Sequence, residues 1–439
     1  MFTGRKNELV KLNESYKKSG VPVVILYGRE GIGKTTLIKE FVKGKESVCY
    51  LGRELSQKEQ CIYFESAVRQ VDAIAEAGKK VCLVIDEFDV MQKAYKDFFA
   101  DLDQTTGKDS WNDRVMIVLT SSSVQWIENQ MVTEMGAFAA KIDQFIKLKE
   151  FTFLEMVNRF PDNSTEECIT IYSILGGVPE YLDYWEPAKS VKDNIIRLML
   201  RKEGILRKEA SRFLKTSLRE LPYYNTILSV LAEDEPKLNY LYNRTGFSRA
   251  KISVYIKNLI QIDVAEKYFS YEPKKKDSTM KGLYGISDRF LHFWYKYVFP
   301  NISELEFGEE ERFYETYIRD ELFSFVEKTY EKVCREFLIL MNQYGKLPDK
   351  FSIPEVFYGK EGILPLIADG ENGSLLVGKC KWSMEPMGKE DFEELVRLAE
   401  QTGQEADYYY LFSREGFTNE LSVMAKGMEN IQLIDLDSL

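Results

Sequence analysis

Histidine occurs once and cysteine six times in 439 residues, so the chain has little with which to hold a soft metal. The cysteines stand singly, at 49, 61, 82, 168, 334 and 380, without a C-x-x-C pair. That spacing excludes the common zinc and dithiol patterns. Most sit in apolar runs such as "VCYL" and "VCLVI", where a thiol acts as a small hydrophobe, and a reducing cytosol suits them better than disulfides. His292, in "RFLHFWYKYV", is expected to pack beside aromatics rather than to serve as ligand or base. No apolar run approaches the roughly 18–20 residues that span a bilayer. The stretch "MFTGRKNELVKLNE" is charged and amphipathic and lacks an apolar signal core. The expectation is a cytoplasmic protein that touches no membrane. Low-complexity tracts are also missing. A net charge of −11 argues against coating nucleic acid with the whole surface, though it permits a local basic face. Length alone predicts about three domains at roughly 150 residues each.

The most specific stretch that is present is "PVVILYGREGIGKTTLIKEF". A β-rich apolar run, 22–27, leads into Gly28-Arg29-Glu30-Gly31-Ile32-Gly33-Lys34-Thr35-Thr36, and a helical pattern follows. This is G-x-x-x-x-G-K-[ST] in the strand–loop–helix setting that the motif requires. The glycines let successive N–H groups and a helix N-terminus face phosphates. Lys34 is placed to reach the β- and γ-phosphates of ATP, and the Thr35 hydroxyl to join the shell of Mg²⁺. A second apolar strand, 81–85, ends in Asp86-Glu87. Asp86 is expected to hold the magnesium, and Glu87 to orient the attacking water as base. A third, "RVMIVLTSSS", ends in Thr120-Ser121-Ser122, whose hydroxyls either sense the γ-phosphate or simply open a helix.

These features resemble the archaeal-type ATPases, a branch of the AAA-like and STAND ATPases. "FTGRKNEL" looks like that family's N-terminal box near the adenine, with Gly4, Arg5 and Glu8 on its fixed positions. "LGGVPEYL" looks like the Gly-Gly-x-Pro-x-Tyr motif of the helical lid, matched by Gly176, Gly177, Pro179 and Tyr181; the resemblance implies that Pro179 contacts the nucleotide region. One departure stands out. Relatives often carry a Gly-Arg pair before the strand "KIDQFIKLKEF", whereas this chain reads Met135-Gly136-Ala137-Phe138-Ala139-Ala140-Lys141. Lys141 lacks the planar fork of guanidinium, so tight binding is expected and fast hydrolysis is not.

Further on, a helix at 223–233, a second at 236–244 and a third, "RAKISVYIKNLIQ", capped by Ser248, precede two short alternating stretches. That is the winged-helix order, and the resemblance extends through "LYGISDRFLHFWYKYV". Residues 223–300 hold 12 Lys+Arg against 8 Asp+Glu. Arg244, Arg249, Lys251 and Lys257 lie on or near the third helix, and Lys274–Lys276 on the wing. The segment 236–281 therefore either meets the phosphates of double-stranded DNA or docks onto protein.

The last third opens with a helix predicted to run unbroken from about 310 through "LILMN". Strands at "IPEVFYG", "ILPLIAD" and "LLVGKCKW", a helix and a strand "DYYYLFSREGF" follow. This order, and the family's Gly-Glu-Cys-Lys-Trp strand end, point to a restriction-endonuclease-like domain. Here, however, Pro365 stands for the family's aspartate and Lys379 for its glutamate, which removes two magnesium ligands. A dead site is expected, serving as scaffold or protein-binding surface, with Lys379 paired to Glu336 or another surviving carboxylate. Glu331 is the other helix carboxylate weighed, and Asp369 and Glu371 read as turn residues.

The sequence thus predicts an α/β protein in four parts: a P-loop core (1–150), a helical lid (151–221), a winged helix (222–301) and a degenerate nuclease-like domain (302–439). Its expected role is a slow, switch-like, Mg²⁺-dependent ATPase, nuclease activity being absent. The alternative is a scaffold that holds nucleotide, barely turns it over, and regulates DNA binding. The missing arginine favours the second reading, and the Asp86-Glu87 pair the first.

Overall fold

The computed structural model describes residues 3–233, 237–272 and 282–439. The chain divides into two compact units. One is Met1–Phe151 with Val178–Asp183; the other is Thr152–Gly177 with Tyr184–Leu439.

The first unit is built on five strands: β1 (Val23–Tyr27), β2 (Glu46–Leu51), β3 (Val81–Asp86), β4 (Val115–Ser121) and β5 (Ile142–Lys147). They lie in the order β2-β3-β4-β1-β5, with every neighbouring pair parallel. β1 and β4 are buried along their whole length, as near-continuous Val/Ile/Leu runs covered on both faces should be. Two apolar layers follow. Val23, Ile25 and Ile117 pack towards the helix Gln57–Glu76, whereas Val24, Leu26 and Val118 pack towards the helix Lys34–Phe41. β2 is an edge strand with alternating burial, and this leaves Cys49 exposed, unlike the buried thiol that its apolar run predicts. The chain runs from β1 to β2 and β3 and then returns, through β4, to the side of β1. The carboxyl ends of β1, β3 and β4 therefore meet at one rim, where open parallel sheets place their ligands.

The second unit contains three helices, Leu221–Leu231, Leu238–Thr245 and Arg249–Gln261, the last capped by the Ser248 hydroxyl. An antiparallel pair follows, β6 (Ala265–Tyr268) with β7 (Leu283–Ile286). Lys274–Lys276 lie outside the described residues. His292 lies 5.0 Å from the ring of Phe325, packed as its aromatic neighbours predict. The long helix breaks in two, Glu310–Tyr317 and Leu322–Gln343, with Ile318 fully buried between them.

A second five-stranded sheet covers the C-terminal third. It comprises β8 (Glu355–Tyr358), β9 (Ile363–Asp369), β10 (Leu375–Lys381), β11 (Tyr408–Ser413) and β12 (Ile431–Asp435), in the order β12-β11-β10-β9-β8. β8, β9 and β10 form an antiparallel meander, and β10, β11 and β12 run parallel. The closing helix Asn419–Lys426 and β12 are additional to the sequence reading. Among the described residues no helix is long and apolar enough to cross a membrane.

Candidate functional site

β1 delivers the chain into the glycine-rich turn. Gly31 and Gly33 have φ of 76° and 91°, a region costly to residues with a Cβ. At Gly28 the constraint is contact: a Cβ would stand 2.5 Å from the Leu148 carbonyl oxygen. Lys34 opens the helix Lys34–Phe41 and is only 6% exposed. Its ammonium donates to the carbonyls of Gly28 (2.9 Å) and Arg29 (3.2 Å) and to Ser122 Oγ (2.6 Å). Burial lowers its pKa, and nearby Glu87 and Asp86 oppose that shift. Ile32 is buried, while Glu30, Thr35 and Thr36 face solvent.

Across the rim, β3 ends at Asp86. Thr35 Oγ1 donates to Asp86 Oδ2 at 3.1 Å, and the Thr120 hydroxyl donates to Asp86 Oδ1. Glu87 takes the left-handed conformation, φ 50°, between the strand and the helix Phe88–Ala94. This bend turns its carboxylate towards β4, where it accepts from Ser122 N (2.9 Å) and Ser122 Oγ (2.6 Å). Its Oε1 is 3.6 Å from the Lys34 ammonium. Lys34, Asp86, Glu87, Thr120 and Ser122 thus form one connected network.

Arg5 and Pro179 both lie against the glycine loop. Gly4 and Arg5 have φ of 71° and 59°, and Arg5 is nearly buried. Its guanidinium donates to Lys149 O (2.5 Å) and Ile32 O (3.2 Å) and lies over the Phe151 ring. Pro179 starts the short helix Pro179–Asp183. A Cβ on Gly33 would be 3.8 Å from its ring, and Glu180 N donates to Gly31 O at 3.2 Å. Arg29 Nη2 donates to Tyr181 OH at 2.7 Å. These bonds place Val178–Asp183 with the first unit rather than with the helices flanking it in sequence. Lys141 is engaged elsewhere, with Asp103 Oδ1 (2.7 Å) and Thr106 Oγ1 (2.6 Å). Sequence reasoning missed Asp89, whose only signal was a third acid after the strand.

The site fits a nucleotide by its own geometry: glycines whose side chains would strain the turn or collide, an ammonium held mainly by neutral oxygens, and hard oxygen donors at Thr35 and Asp86. Magnesium commonly takes only one or two protein ligands and fills the rest of its shell with phosphate and water. Among the described residues no group of three or more His, Cys, Asp or Glu is arranged to hold a metal ion.

In the second unit the described basic residues of 236–281 are partly engaged. Lys251 Nζ lies 3.2 Å from the Tyr223 ring centroid, and Arg244 donates to Glu233 at 2.6 Å. Arg249 lies over Tyr242, and both Arg249 and Lys257 are exposed. Of the carboxylates expected beside Lys379, Glu336 is not the one found. Cys380 and Trp382 face the helix Leu322–Gln343, where Trp382 packs on Tyr330 with ring centroids 5.1 Å apart. Alternation along the strand sends Lys379 and Lys381 to the other face. There Lys379 meets Glu394 (2.5 Å) and Asp391 (3.3 Å), and Lys381 meets Asp391 (2.8 Å). Glu336 instead accepts from Phe153 N at 2.9 Å.

Two family models match the chain. Residues 24–146 match the ATPase family associated with various cellular activities (AAA). Residues 294–395 match DUF234, described as archaea bacterial proteins of unknown function. An uncharacterized protein of Methanocaldococcus jannaschii is 27% identical over 400 residues, 87% of this chain and 88% of its own length. An uncharacterized ATP-binding protein of the same organism is 44% identical over 46 residues, 10% of this chain and 78% of its own. Among solved structures, the Walker-type ATPase of Pyrococcus abyssi aligns with TM-score 0.48 at 15% identity, over 67% of this chain and 96% of its own. The Aeropyrum pernix ORC2 protein aligns with TM-score 0.41 at 15% identity, over 76% and 95%.

Proposed function

We propose that this chain, an AAA ATPase domain joined to a C-terminal DUF234 domain, works as a slow, magnesium-dependent ATP switch. The observation that carries the reading is the junction of three strand ends, which joins Lys34, Ser122 and Glu87 and, through the Thr120 hydroxyl, Asp86 in one network. In this reading the N–H groups of the turn 28–36 and the Lys34 ammonium take the phosphates, while Gly4, Arg5 and Pro179 border the nucleotide. Thr35 and Asp86 supply oxygen ligands to Mg²⁺, which when bound neutralises charge building on the phosphates. Glu87 accepts a hydrogen bond from the attacking water and orients it. Residues 151–221 then serve as a lid, 222–301 as a winged helix and 302–439 as an inactive nuclease-like domain. Where nucleotide is held without turnover, the same architecture is a regulatory scaffold.

Substituting Lys34→Ala should abolish ATP binding, because the buried cation facing the phosphates is lost. Glu87→Gln should retain binding and lose turnover. Equal turnover in wild type and Glu87→Gln would refute the assignment of the base. A second reading, contact with duplex DNA, is supported by Arg249 and Lys257, both exposed on the helix that follows the Gly246 turn.

A further inference from the structure

Asp89 is a carboxylate that water barely reaches, 3% exposed in the first turn of the helix Phe88–Ala94. Its two oxygens are shared between two hydroxyls of one loop. Ser121 Oγ donates to Oδ1 at 2.7 Å, and Ser123 Oγ donates to Oδ2 at 2.5 Å. Ser121 Oγ also accepts from Ser123 N at 3.0 Å, which closes the loop on itself. Between these two serines stands Ser122, with one hydroxyl 2.6 Å from both Glu87 Oε1 and Lys34 Nζ.

The end of β4 therefore deals its hydroxyls alternately. Thr120 and Ser122 turn to Asp86 and Glu87, and Ser121 and Ser123 to Asp89. Hydrogen bonds to a carboxylate are roughly twice as strong as neutral ones, and both flanks of Ser122 are held by one buried acid. The remaining partner of Asp89, Lys93 at 3.2 Å, is 65% exposed and adds little.

We propose that Asp89 is a positioning residue for Glu87, acting through the serine loop. By fixing Ser121 and Ser123 it sets where the Ser122 hydroxyl and N–H hold the Glu87 carboxylate relative to Lys34. This rests on the reading of Glu87 as the group that orients water. A purely structural tie between helix and strand would lower stability and binding together. Positioning predicts instead a loss in turnover at unchanged nucleotide affinity, since neither Asp89 nor its two serines belongs to the phosphate cradle.

The test measures kcat, affinity for a fluorescent ATP analogue, and thermal unfolding in Asp89→Asn, Ser123→Ala, Ser122→Ala and Glu87→Gln, together with the Asp89→Asn/Ser122→Ala double variant. Asp89→Asn keeps the shape and loses one charge-assisted acceptor. Its kcat should fall about 10- to 100-fold, the scale of a small misplacement of a catalytic group, with nucleotide affinity unchanged. Ser123→Ala, which removes one bond at a partly exposed position, should fall in the same direction by less. The double variant should lose less than the product of the two single losses, because Ser122→Ala leaves only the Ser122 N–H contact for Asp89 to position. Wild-type kcat in both Asp89→Asn and Ser123→Ala, beside an inactive Glu87→Gln, would overturn the proposal. Multiplying losses in the double variant, or parallel loss of affinity and kcat, would overturn it too. A Glu87→Gln protein as active as wild type would instead remove the reading beneath it.

Discussion

Substituting Asp391→Ala should cost the C-terminal sheet far more than Lys379→Ala, although the two side chains face each other. Asp391 accepts from Lys381 at 2.8 Å and from Gly388 N at 2.9 Å, and it lies 3.3 Å from Lys379. Losing the Gly388 bond uncaps the helix Lys389–Glu400, at about 1 kcal/mol. Lys381 would then lose its carboxylate and keep the Pro386 carbonyl (3.2 Å), while Lys379 would keep Glu394. Asp391 is 19% exposed, so this adds about 1–2 kcal/mol, below the roughly 3–5 of a fully buried pair. Removing Lys379 leaves the Asp391–Lys381 pair intact and frees only Glu394, which is 51% exposed; such a pair is worth about 0–1 kcal/mol. Hydrogen exchange of the helix Lys389–Glu400 measures the difference locally. Asp391→Ala should speed exchange by about two powers of ten and Lys379→Ala by less than about one. Burial tends to raise the Asp391 pKa, but the Lys381 and Gly388 bonds and both ammoniums outweigh it and leave it lowered. Its contribution is therefore present above the unfolded pKa and lost as pH falls through the folded one, so the gap between wild type and Asp391→Asn should close below about pH 4. Equal exchange in the two alanine variants would refute the hub role of Asp391.

Glu331 predicts the opposite pH dependence. Burial, helped by Glu327, pushes it up to about 7 against the pull of Arg335 and Lys328. The folded state keeps a proton that the unfolded chain has lost, so stability falls between about pH 4.3 and 7; Glu331→Gln should be more stable than wild type at pH 8 and no different near pH 4. If 236–281 meets DNA, affinity should fall steeply with salt, and removing Arg249 and Lys251 together should flatten the salt slope by about 2. No binding to duplex at about 50 mM salt, where phosphate contacts are strongest, would leave docking as the better account. The protein should cut neither supercoiled nor linear DNA with Mg²⁺ or Mn²⁺, and metal-dependent cleavage lost on mutating Glu336 would refute this.

Legibility followed the range of each interaction. The turn 28–36 and the acids after β3 could be read because their chemistry depends on local backbone: a strand, a glycine turn, a helix start. The link from Glu87 to Ser122 could not. It depends on β4 lying between β3 and β1, a tertiary fact, and on the left-handed φ at Glu87, which the residue type does not announce. Asp89 was invisible for the same reason. Period-2 alternation correctly placed Lys379 and Lys381 on one face, but nothing local says which helix covers that face. The sequence offered Glu336 because it is a carboxylate on the helix that opens the domain, yet that helix packs on the Cys380 side. The break at Ile318 was hidden because buried isoleucine is as compatible with a helix as with its end.

The two lysine clusters show why one site stays open to ligand and the other is closed. Lys34 is held by two peptide carbonyls and a serine hydroxyl, with its nearest carboxylate at 3.6 Å. Neutral dipoles satisfy its protons without cancelling its charge, so an arriving anion gains the attraction of a poorly screened cation that Glu87 offsets only in part. Lys379 and Lys381 are held by two carboxylates, Asp391 and Glu394. Their charge is already matched, and an anion or a metal would have to displace an existing partner before gaining anything. Lysine at position 379 therefore does more than fill the end of β10. It draws the acids of the neighbouring helix into internal pairs, and replacing it by glutamate should leave Asp391 still bound to Lys381 rather than free to gather a cation.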